Sequence, residues 1–118
     1  LTYGLRFGGL SRTNLLGAPG RYVQREFGEA LPPTKSFDGG LLVIDLADIN
    51  RNLKIMDAHL ILAHEVGHVW VATPGIEGEN EVIRRFENPY RAGLGWPARG
   101  GYLDSWPKLP SPGGRKFP

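Results

Sequence analysis

The sequence lacks cysteine altogether and has only three histidines. Without a thiol the fold cannot depend on disulfides, and any metal ion must be bound by nitrogen and oxygen ligands. No apolar run reaches the length of a membrane span, and the first residues do not form a charged and then apolar signal peptide. Basic residues are scattered and the net charge is only +2, so charge does not indicate a nucleic-acid partner.

The 118 residues, 41% of them hydrophobic, are enough for one domain with a modest core, which we predict to span residues 1–118. The chain starts at Leu1, and its single methionine is Met56. Such a start is typical of a piece cut from a longer protein. We therefore expect a C-terminal module of a larger chain, and we expect this module to be a monomer.

The two ends of the chain are rich in glycine and proline. Residues 1–40 are predicted to be mostly loops and turns, although residues 21–31 have the composition of a short helix that ends before Pro32. The apolar run over residues 41–46 predicts a strand, whose partners we expect in the N-terminal third. Residues 103–118 form a tail that either wraps the domain or lacks fixed structure.

Two helices are predicted in the middle of the chain. Asp57 can cap a helix over about residues 58–72, in which nearly every residue is apolar, so we expect it to be buried on almost all sides. A second helical stretch covers about residues 78–87, and Asn88-Pro89 follows it as a pair that can restart or bend the helix. The chain therefore predicts two helices beside a small sheet or hairpin from the N-terminal part.

The first of these helices contains an H-E-x-x-H motif, HEVGH at residues 64–68. His64 and His68 lie about 40° apart on a helical wheel, so both imidazoles can reach one zinc ion. Glu65 points beside that ion, where a carboxylate can accept a proton from a metal-activated water and pass it to a leaving amine. The alternative is a buried helix whose histidines are satisfied by hydrogen bonds, but burying these groups unpaired is costly.

A third ligand has to come from elsewhere in the chain. His59 lies about 140° from the nearer histidine of the motif, so it is expected to be structural or exposed. In the second helix, Glu77 and Glu81 fall on the side predicted to face solvent. Glu79 falls within the apolar arc but can also be explained as a first-turn acid that favours the helix dipole. Glu87 has no such explanation, so the sequence favours Glu87 and leaves Glu79 open.

Two segments of the chain resemble a known family. AHEVGHVW at residues 63–70 and ENPYRAGLGWPARGGY at residues 87–102 resemble the bacterial zinc metallopeptidase effector family that includes NleD and the C-terminal toxin domains of VgrG and Rhs proteins. The family pattern after H-E-x-x-H is E-N-x-x-R-x-x-x-G-x-P-x-R-x-x-Y. The chain matches it without a gap at Glu87, Asn88, Arg91, Gly95, Pro97, Arg99 and Tyr102.

The resemblance implies a small zincin-like α+β fold with one zinc ion, and it carries the family's acidic ligand onto Glu87. It also implies a protein or peptide substrate, secretion into a target cell by a bacterial export system such as type VI secretion, and a cognate immunity protein as a partner. Tyr102 falls where a phenol can donate to the oxyanion formed during cleavage, although a packing role fits equally well. Arg91 and Arg99 are expected to brace the second helix and the loop after it.

We therefore predict a zinc-dependent endopeptidase. One alternative remains open for its ligand set and two for its function. The two histidines of the motif and Glu87 bind the metal in this prediction, with Glu79 as the alternative ligand, and Glu65 is the general base. A zinc amidase that cuts cell-wall peptides is a second candidate function. A non-catalytic domain with a structural metal is a third, which a fourth protein ligand from His59 or Glu79 would favour, because catalytic zinc needs an open position.

Overall fold

The computed structural model describes residues 3–10, 26–32 and 39–110 of the chain. These residues form a small α+β domain in which a three-stranded sheet packs against a helical layer. No helix of the described part has the length and apolar character needed to cross a membrane. Along the chain the elements are β1 (Tyr3–Phe7), β2 (Gly28–Leu31), β3 (Gly40–Ile44), α1 (Leu46–Asn50), α2 (Ala58–Trp70), α3 (Gly75–Val82), a π-helical turn (Ile83–Glu87) and α4 (Asn88–Gly93).

The sheet has the strand order β1-β3-β2, with β1 parallel and β2 antiparallel to β3. The register sets Leu5 opposite Leu42, and Gly28 opposite Ile44. β3 is the strand predicted at residues 41–46, and its central place explains why its apolar residues are nearly all buried. Its partners come from the N-terminal third, which confirms that prediction.

The helix predicted over residues 21–31 is wrong in its described part, since Gly28–Leu31 is strand β2. Glutamate, alanine and leucine are good helix formers, but such propensities amount to less than about 1 kcal/mol per residue, and pairing with β3 overrides them by giving the backbone its hydrogen-bond partners. A Cβ atom on Gly28 would lie 2.9 Å from the Val43 carbonyl oxygen and 3.2 Å from Ile61. Glycine therefore lets β2 lie tightly between β3 and α2. Residues 21–25 lie outside the described residues.

Helix α2 packs on the sheet and carries part of the core. Asp57 caps it as predicted, because its carboxylate accepts hydrogen bonds from the backbone N–H groups of His59 at 2.9 Å and Leu60 at 3.2 Å. The expected burial on almost all sides fails at the C-terminal end, where Trp70 is 71% exposed and Val71 leaves the helical conformation. The core cluster consists of Phe27, Ile44, Ile49, Met56, Ala58, Leu60 and Ile61.

The second helical stretch is longer than the predicted residues 78–87 and has three parts: α3, the π-helical turn and α4. The backbone N–H of Asn88 donates to the Ile83 carbonyl, which is the i to i+5 hydrogen bond of a π turn. Pro89 does not end the helix. It lies in the first turn of α4, directly after the π-helical turn, and the helical conformation continues through it to Gly93.

Residues 103–110, the described part of the predicted tail, pack against the domain without regular structure. Leu109 is buried, and its N–H donates to the Lys54 carbonyl at 2.7 Å. Trp106 packs edge-on against Phe27, with 5.8 Å between the ring centroids. This part of the tail therefore wraps the domain, which is one of the two predicted outcomes. Residues 111–118 lie outside the described residues.

Candidate metal centre

Helix α2 brings the two histidines of the motif together. His64 is buried, and His68 one turn later is partly buried. Their Nε2 atoms lie 3.3 Å apart, because residues four apart are neighbours on a helix surface. Both rings therefore direct the same nitrogen to one point.

Glu79 of α3 completes a triangle with these two histidines. Its Oε2 lies 3.1 Å from His64 Nε2, and its Oε1 lies 3.1 Å from His68 Nε2. Ligand atoms at about 2.0–2.1 Å from a tetrahedral zinc ion lie about 3.3 Å from one another. Within the described residues, His64, His68 and Glu79 form the one group of side chains with ligand atoms close enough to hold a metal ion.

Glu87, which the sequence favoured as the third ligand, contacts the other nitrogen of His64. Its Oε1 lies 2.8 Å from His64 Nδ1, whereas Nε2 is the atom that faces His68 and Glu79. A carboxylate bound at Nδ1 is on the far side of the ring from an ion held at Nε2. The group that could hold a metal ion therefore contains Glu79, the alternative that the sequence had left open, and does not contain Glu87.

The π-helical turn explains how both glutamates come to face His64. On a regular α-helix, Glu79 and Glu87 would point about 80° apart. The turn at Ile83–Glu87 closes i to i+5 hydrogen bonds and therefore rotates less per residue, which turns Glu87 toward the face that carries Glu79. Both carboxylates then contact His64, each at a different ring nitrogen.

The charges around Glu87 determine which nitrogen of His64 carries a proton. Arg91 Nε and Arg99 donate to Glu87 at 2.9 Å and 3.2 Å. Burial would raise the pKa of Glu87, but the hydrogen bond to His64 and the charges of Arg99 and Arg91 lower the pKa below its usual value. Glu87 is therefore a carboxylate that only accepts, so Nδ1 of His64 donates to it. Nε2 of a neutral ring is an acceptor facing the Glu79 carboxylate, and only a proton or a metal ion between them makes that contact favourable.

The pKa values of the ligands reflect this arrangement. Burial lowers the pKa of His64, but hydrogen bonds to Glu79 and Glu87 outweigh it and raise the pKa from 6.5 to about 9. Burial raises the pKa of Glu79, but hydrogen bonds to His64 and His68 outweigh it and lower the pKa from 4.5 to about 2. Without a metal ion the site therefore holds a proton on His64, and a bound cation would displace it.

Glu65 lies beside the metal-binding group rather than within it, as its position on the helix predicts. Its side chain is buried and lines the cavity next to His64 and His68. Burial raises the pKa of this carboxyl from 4.5 to about 7, although the charges of His64 and His68 act in the opposite direction. A carboxyl group with a pKa near neutrality can both accept and release a proton near pH 7.

The cavity beside the metal-binding group has a volume of about 460 Å³, which is in the range of pockets that bind small ligands or side chains. Residues from several parts of the chain form its walls. The helices α2 and α3 supply the histidines, Glu65 and Glu79, while β2 and the residues before it supply Glu26 and Phe27. The segment after α4 supplies Arg99, Tyr102 and Trp106.

Tyr102, predicted as an oxyanion donor or a packing residue, lines this cavity. Its hydroxyl donates to Glu26 Oε1 at 2.8 Å, and its backbone N–H donates to Asn80 Oδ1 at 2.9 Å. Burial, the hydrogen bond to Glu26 and the charges of Glu26 and Glu79 raise the pKa of the phenol above its usual value. The phenol therefore keeps its proton. Sequence reasoning missed Glu26 and Asn80, since neither belongs to a motif.

Arg91 and Arg99 contact both the second helical stretch, at Glu87, and the segment after it, at the carbonyls of Pro97 and Tyr102, which agrees with the bracing role expected of them. Arg99 donates to Glu87 and, through its second terminal nitrogen, to the Tyr102 carbonyl at 3.0 Å. Asn88 holds the same segment, because its side chain donates to the Arg99 carbonyl at 2.9 Å and accepts from the Arg99 N–H at 2.8 Å. The guanidinium group of Arg99 also stacks on Trp106, and its central carbon lies 3.5 Å from the ring centroid. All three charged residues of the ENPYR and PARGGY segments, Glu87, Arg91 and Arg99, thus belong to one hydrogen-bonded network.

The remaining candidates lie away from the centre. The His59 side chain is 46% exposed and lies 3.7 Å from Asp57, so it is not part of the metal-binding group. Glu77 is exposed on α3, and Glu81 pairs with Arg85 on the outer surface at 2.6 Å. These positions agree with the helical wheel, which placed all three outside the site.

Comparisons of the chain with protein-family models, with curated proteins and with solved structures found no match. The function therefore has to be argued from the geometry of the centre and from the chemistry of its residues.

Proposed function

We propose that this chain is a zinc-dependent peptidase domain. One observation carries the proposal: His64, His68 and Glu79 converge at metal-ligand spacing next to a cavity that Glu65 lines. Two imidazoles and one carboxylate are a ligand set that suits zinc and occurs in zinc peptidases. A bound zinc ion would polarise a carbonyl group and lower the pKa of a water molecule.

The number of ligands supports catalysis over a structural metal. Structural zinc sites are closed by four protein ligands, whereas catalytic sites use three and keep one position open. Glu87 is engaged at His64 Nδ1 and His59 lies at the surface, so neither completes a fourth position. The cavity adjoins the three ligands, which leaves room for a substrate.

Glu65 and Tyr102 have the chemistry of the two remaining roles. Glu65, with its pKa near 7, accepts a proton from the attacking water and delivers it to the leaving amine. Tyr102 keeps its proton and lies in the same cavity, where the phenol can donate to an oxyanion once it leaves Glu26. Glu87 does not touch the substrate in this scheme, since it orients the His64 ring through Nδ1.

We also propose that the domain acts as a secreted bacterial effector or toxin with a zincin-like fold, as its resemblance to that family implies. The resemblance gains support from the network around Glu87, because Asn88, Arg91, Arg99 and Tyr102 of the family pattern all belong to it. One departure concerns the ligand, since the resemblance assigns Glu87 and the geometry favours Glu79.

A Glu65→Gln substitution tests the catalytic proposal. We expect kcat/KM on a fluorescently labelled unfolded protein to fall by about 10²–10⁴-fold, because the general base is lost while shape is kept. Zinc content, measured by elemental analysis, and the unfolding midpoint should match those of the wild type. Glu77→Gln, on the exposed side of α3, is the matched control.

Full activity of zinc-loaded Glu65→Gln would contradict this role. Incubation of the wild type and Glu65→Gln with purified peptidoglycan tests the alternative function of a cell-wall amidase. Release of soluble peptide fragments from peptidoglycan, without cleavage of the unfolded protein, would favour a cell-wall amidase. Expression of wild type and Glu65→Gln in bacterial cells adds a test of the toxin proposal, which expects growth arrest by the wild type alone.

A further inference from the structure

Among the described residues of the cavity wall, Glu26 is the one carboxylate that neither metal binding nor the proposed proton transfer uses. It lies just before β2, 76 residues from Tyr102, whose hydroxyl donates to its Oε1 at 2.8 Å. Its side chain is only partly buried and faces the cavity. In the part of the chain that the structure describes, no lysine or arginine forms an ion pair with it.

The described residues of the cavity wall include more carboxylates than lysine or arginine side chains. Glu26, Glu65 and Glu79 line the cavity, and among the residues that the structure describes Arg99 is the only lysine or arginine in its wall. Both terminal nitrogens of Arg99 are engaged, one with Glu87 and one with the Tyr102 carbonyl. A divalent ion at the histidines would offset the charges of Glu65 and Glu79. The charge of Glu26 would then have no counterpart among the described residues of the cavity wall.

The surroundings of Glu26 suit a long side chain with a cationic end. Phe27, Ile61, Val71 and Trp106 give the cavity an apolar wall. Lysine and arginine bury their methylene stems on apolar surface while the charged group reaches a polar partner. The carboxylate keeps free acceptor sites for such a group, because it has about four and Tyr102 occupies one.

We propose that Glu26 selects substrates that carry a lysine or arginine side chain close to the bond that is cut. This inference rests on the proposed function and names the substrate class of the same site. The pair forms in a partly enclosed cavity, where it is less screened than on an open surface. Tyr102 holds the carboxylate in place through its hydroxyl, so the recognising group is fixed before a substrate binds.

The test compares short fluorescent peptides that differ only in having lysine, norleucine or glutamate at one position, which is moved in turn along the peptide. For the zinc-loaded wild type we expect the kcat/KM of the lysine peptide to exceed that of the norleucine peptide by about fivefold or more at one position. In Glu26→Gln this ratio should fall to about one, whatever happens to the absolute rates, because only the charge is removed. In Glu26→Lys the glutamate peptide should become the better substrate.

Two controls separate charge from shape. Tyr102→Phe removes the hydrogen bond to Glu26 but keeps the carboxylate, so the lysine-to-norleucine ratio should persist even if turnover slows. Glu77→Gln removes an exposed carboxylate outside the cavity and should keep the ratio as well. A wild-type ratio near one at every position, or an unchanged ratio in Glu26→Gln, would overturn the proposal.

Peptide binding distinguishes failure of this inference from failure of the proposed function. If the zinc-loaded protein cuts none of the peptides, the peptidase proposal fails. Fluorescence anisotropy with zinc-loaded Glu65→Gln, with and without Glu26→Gln, then still measures the preference. Tighter binding of the lysine peptide that disappears on removing Glu26 supports selection of a basic side chain. Equal binding of the lysine and norleucine peptides rejects it.

Discussion

At the scale of single residues, His64 connects two carboxylates with different roles. Glu79 contacts Nε2 of His64 and also contacts His68. Glu87 contacts Nδ1 of His64 and also pairs with two buried arginines. The first contact lies where a metal ion would bind, and the second lies in the buried network behind it. The two glutamates should therefore differ in how strongly they affect metal affinity and how strongly they affect stability.

Substitution of each glutamate tests this division. Glu79→Ala removes a ligand, so we expect the larger loss of zinc affinity, with a loss of stability smaller than that of Glu87→Gln because Glu79 is only partly buried. Glu87→Gln should weaken zinc binding by about 10–100-fold, since it only orients a ligand. The same change leaves Arg91 and Arg99 without their anion and should cost about 3–5 kcal/mol of unfolding free energy.

Competition with a zinc chelator measures affinity in this comparison, and urea unfolding of the metal-free proteins measures stability. Glu81→Ala on the outer surface of α3 serves as the control. A larger loss of zinc affinity in Glu87→Gln than in Glu79→Ala would return the third ligand to Glu87.

At the scale of elements, the π-helical turn and the close packing of α2 set the positions of both glutamates. Gly67 of α2 faces Val82 and Phe86, and a Cβ atom there would lie 2.9 Å from a side-chain carbon of each. Glycine therefore allows the second helical stretch to approach the helix that carries the histidines. The distance from Glu79 to His68 depends on this approach.

Gly67→Ala should separate the two helices. We expect a loss of about 1–3 kcal/mol in unfolding free energy from overpacking, together with weaker zinc binding because Glu79 moves away from the histidines. Gly93→Ala in α4 is the matched control, since nothing lies within 4 Å of the added methyl group. Urea unfolding and chelator competition measure both effects. Equal stability and zinc affinity in the two variants would contradict the packing argument.

At the scale of the whole molecule, the buried charges make stability depend on pH and on metal. Without metal, Glu79 with its pKa of about 2 contributes stability above pH 4.5, and this contribution is lost as the pH falls through 2. Glu65 and His64, with pKa values raised to about 7 and about 9, hold protons that the unfolded chain would release. Their contributions are complete below the unfolded values of 4.5 and 6.5 and are lost as the pH rises through 7 and 9.

The metal-free protein should therefore be most stable near pH 4.5 and lose stability toward pH 9. Zinc replaces the proton on His64, so the stabilisation that zinc adds should grow between about pH 5 and about pH 9. Denaturant unfolding across this range, with excess zinc and with a chelator, measures both trends. The same zinc stabilisation at both ends of the range would contradict proton displacement at His64.

Much of the fold could be predicted from the sequence because the signals are local. Asp57 caps α2 with its own carboxylate. The apolar run that forms β3 is by its composition a buried strand, and all of its residues except Leu41 are buried. Strand β2 could not be predicted, because its residues favour a helix and only pairing with β3 decides otherwise. The same limit applies to Glu26, which meets Tyr102 across 76 residues.

The sequence by itself determined that His64 and His68 face one point with Glu65 beside it, because a helix fixes the directions of residues one turn apart. It could not determine the third ligand. Glu79 lies before the π-helical turn and Glu87 is the last residue of that turn, so the turn decides how the two side chains point relative to each other. Only the tertiary structure shows that Glu79 contacts Nε2 of His64 and that Glu87 contacts Nδ1. The reason is that packing between distant segments decides which side of the His64 ring each carboxylate reaches.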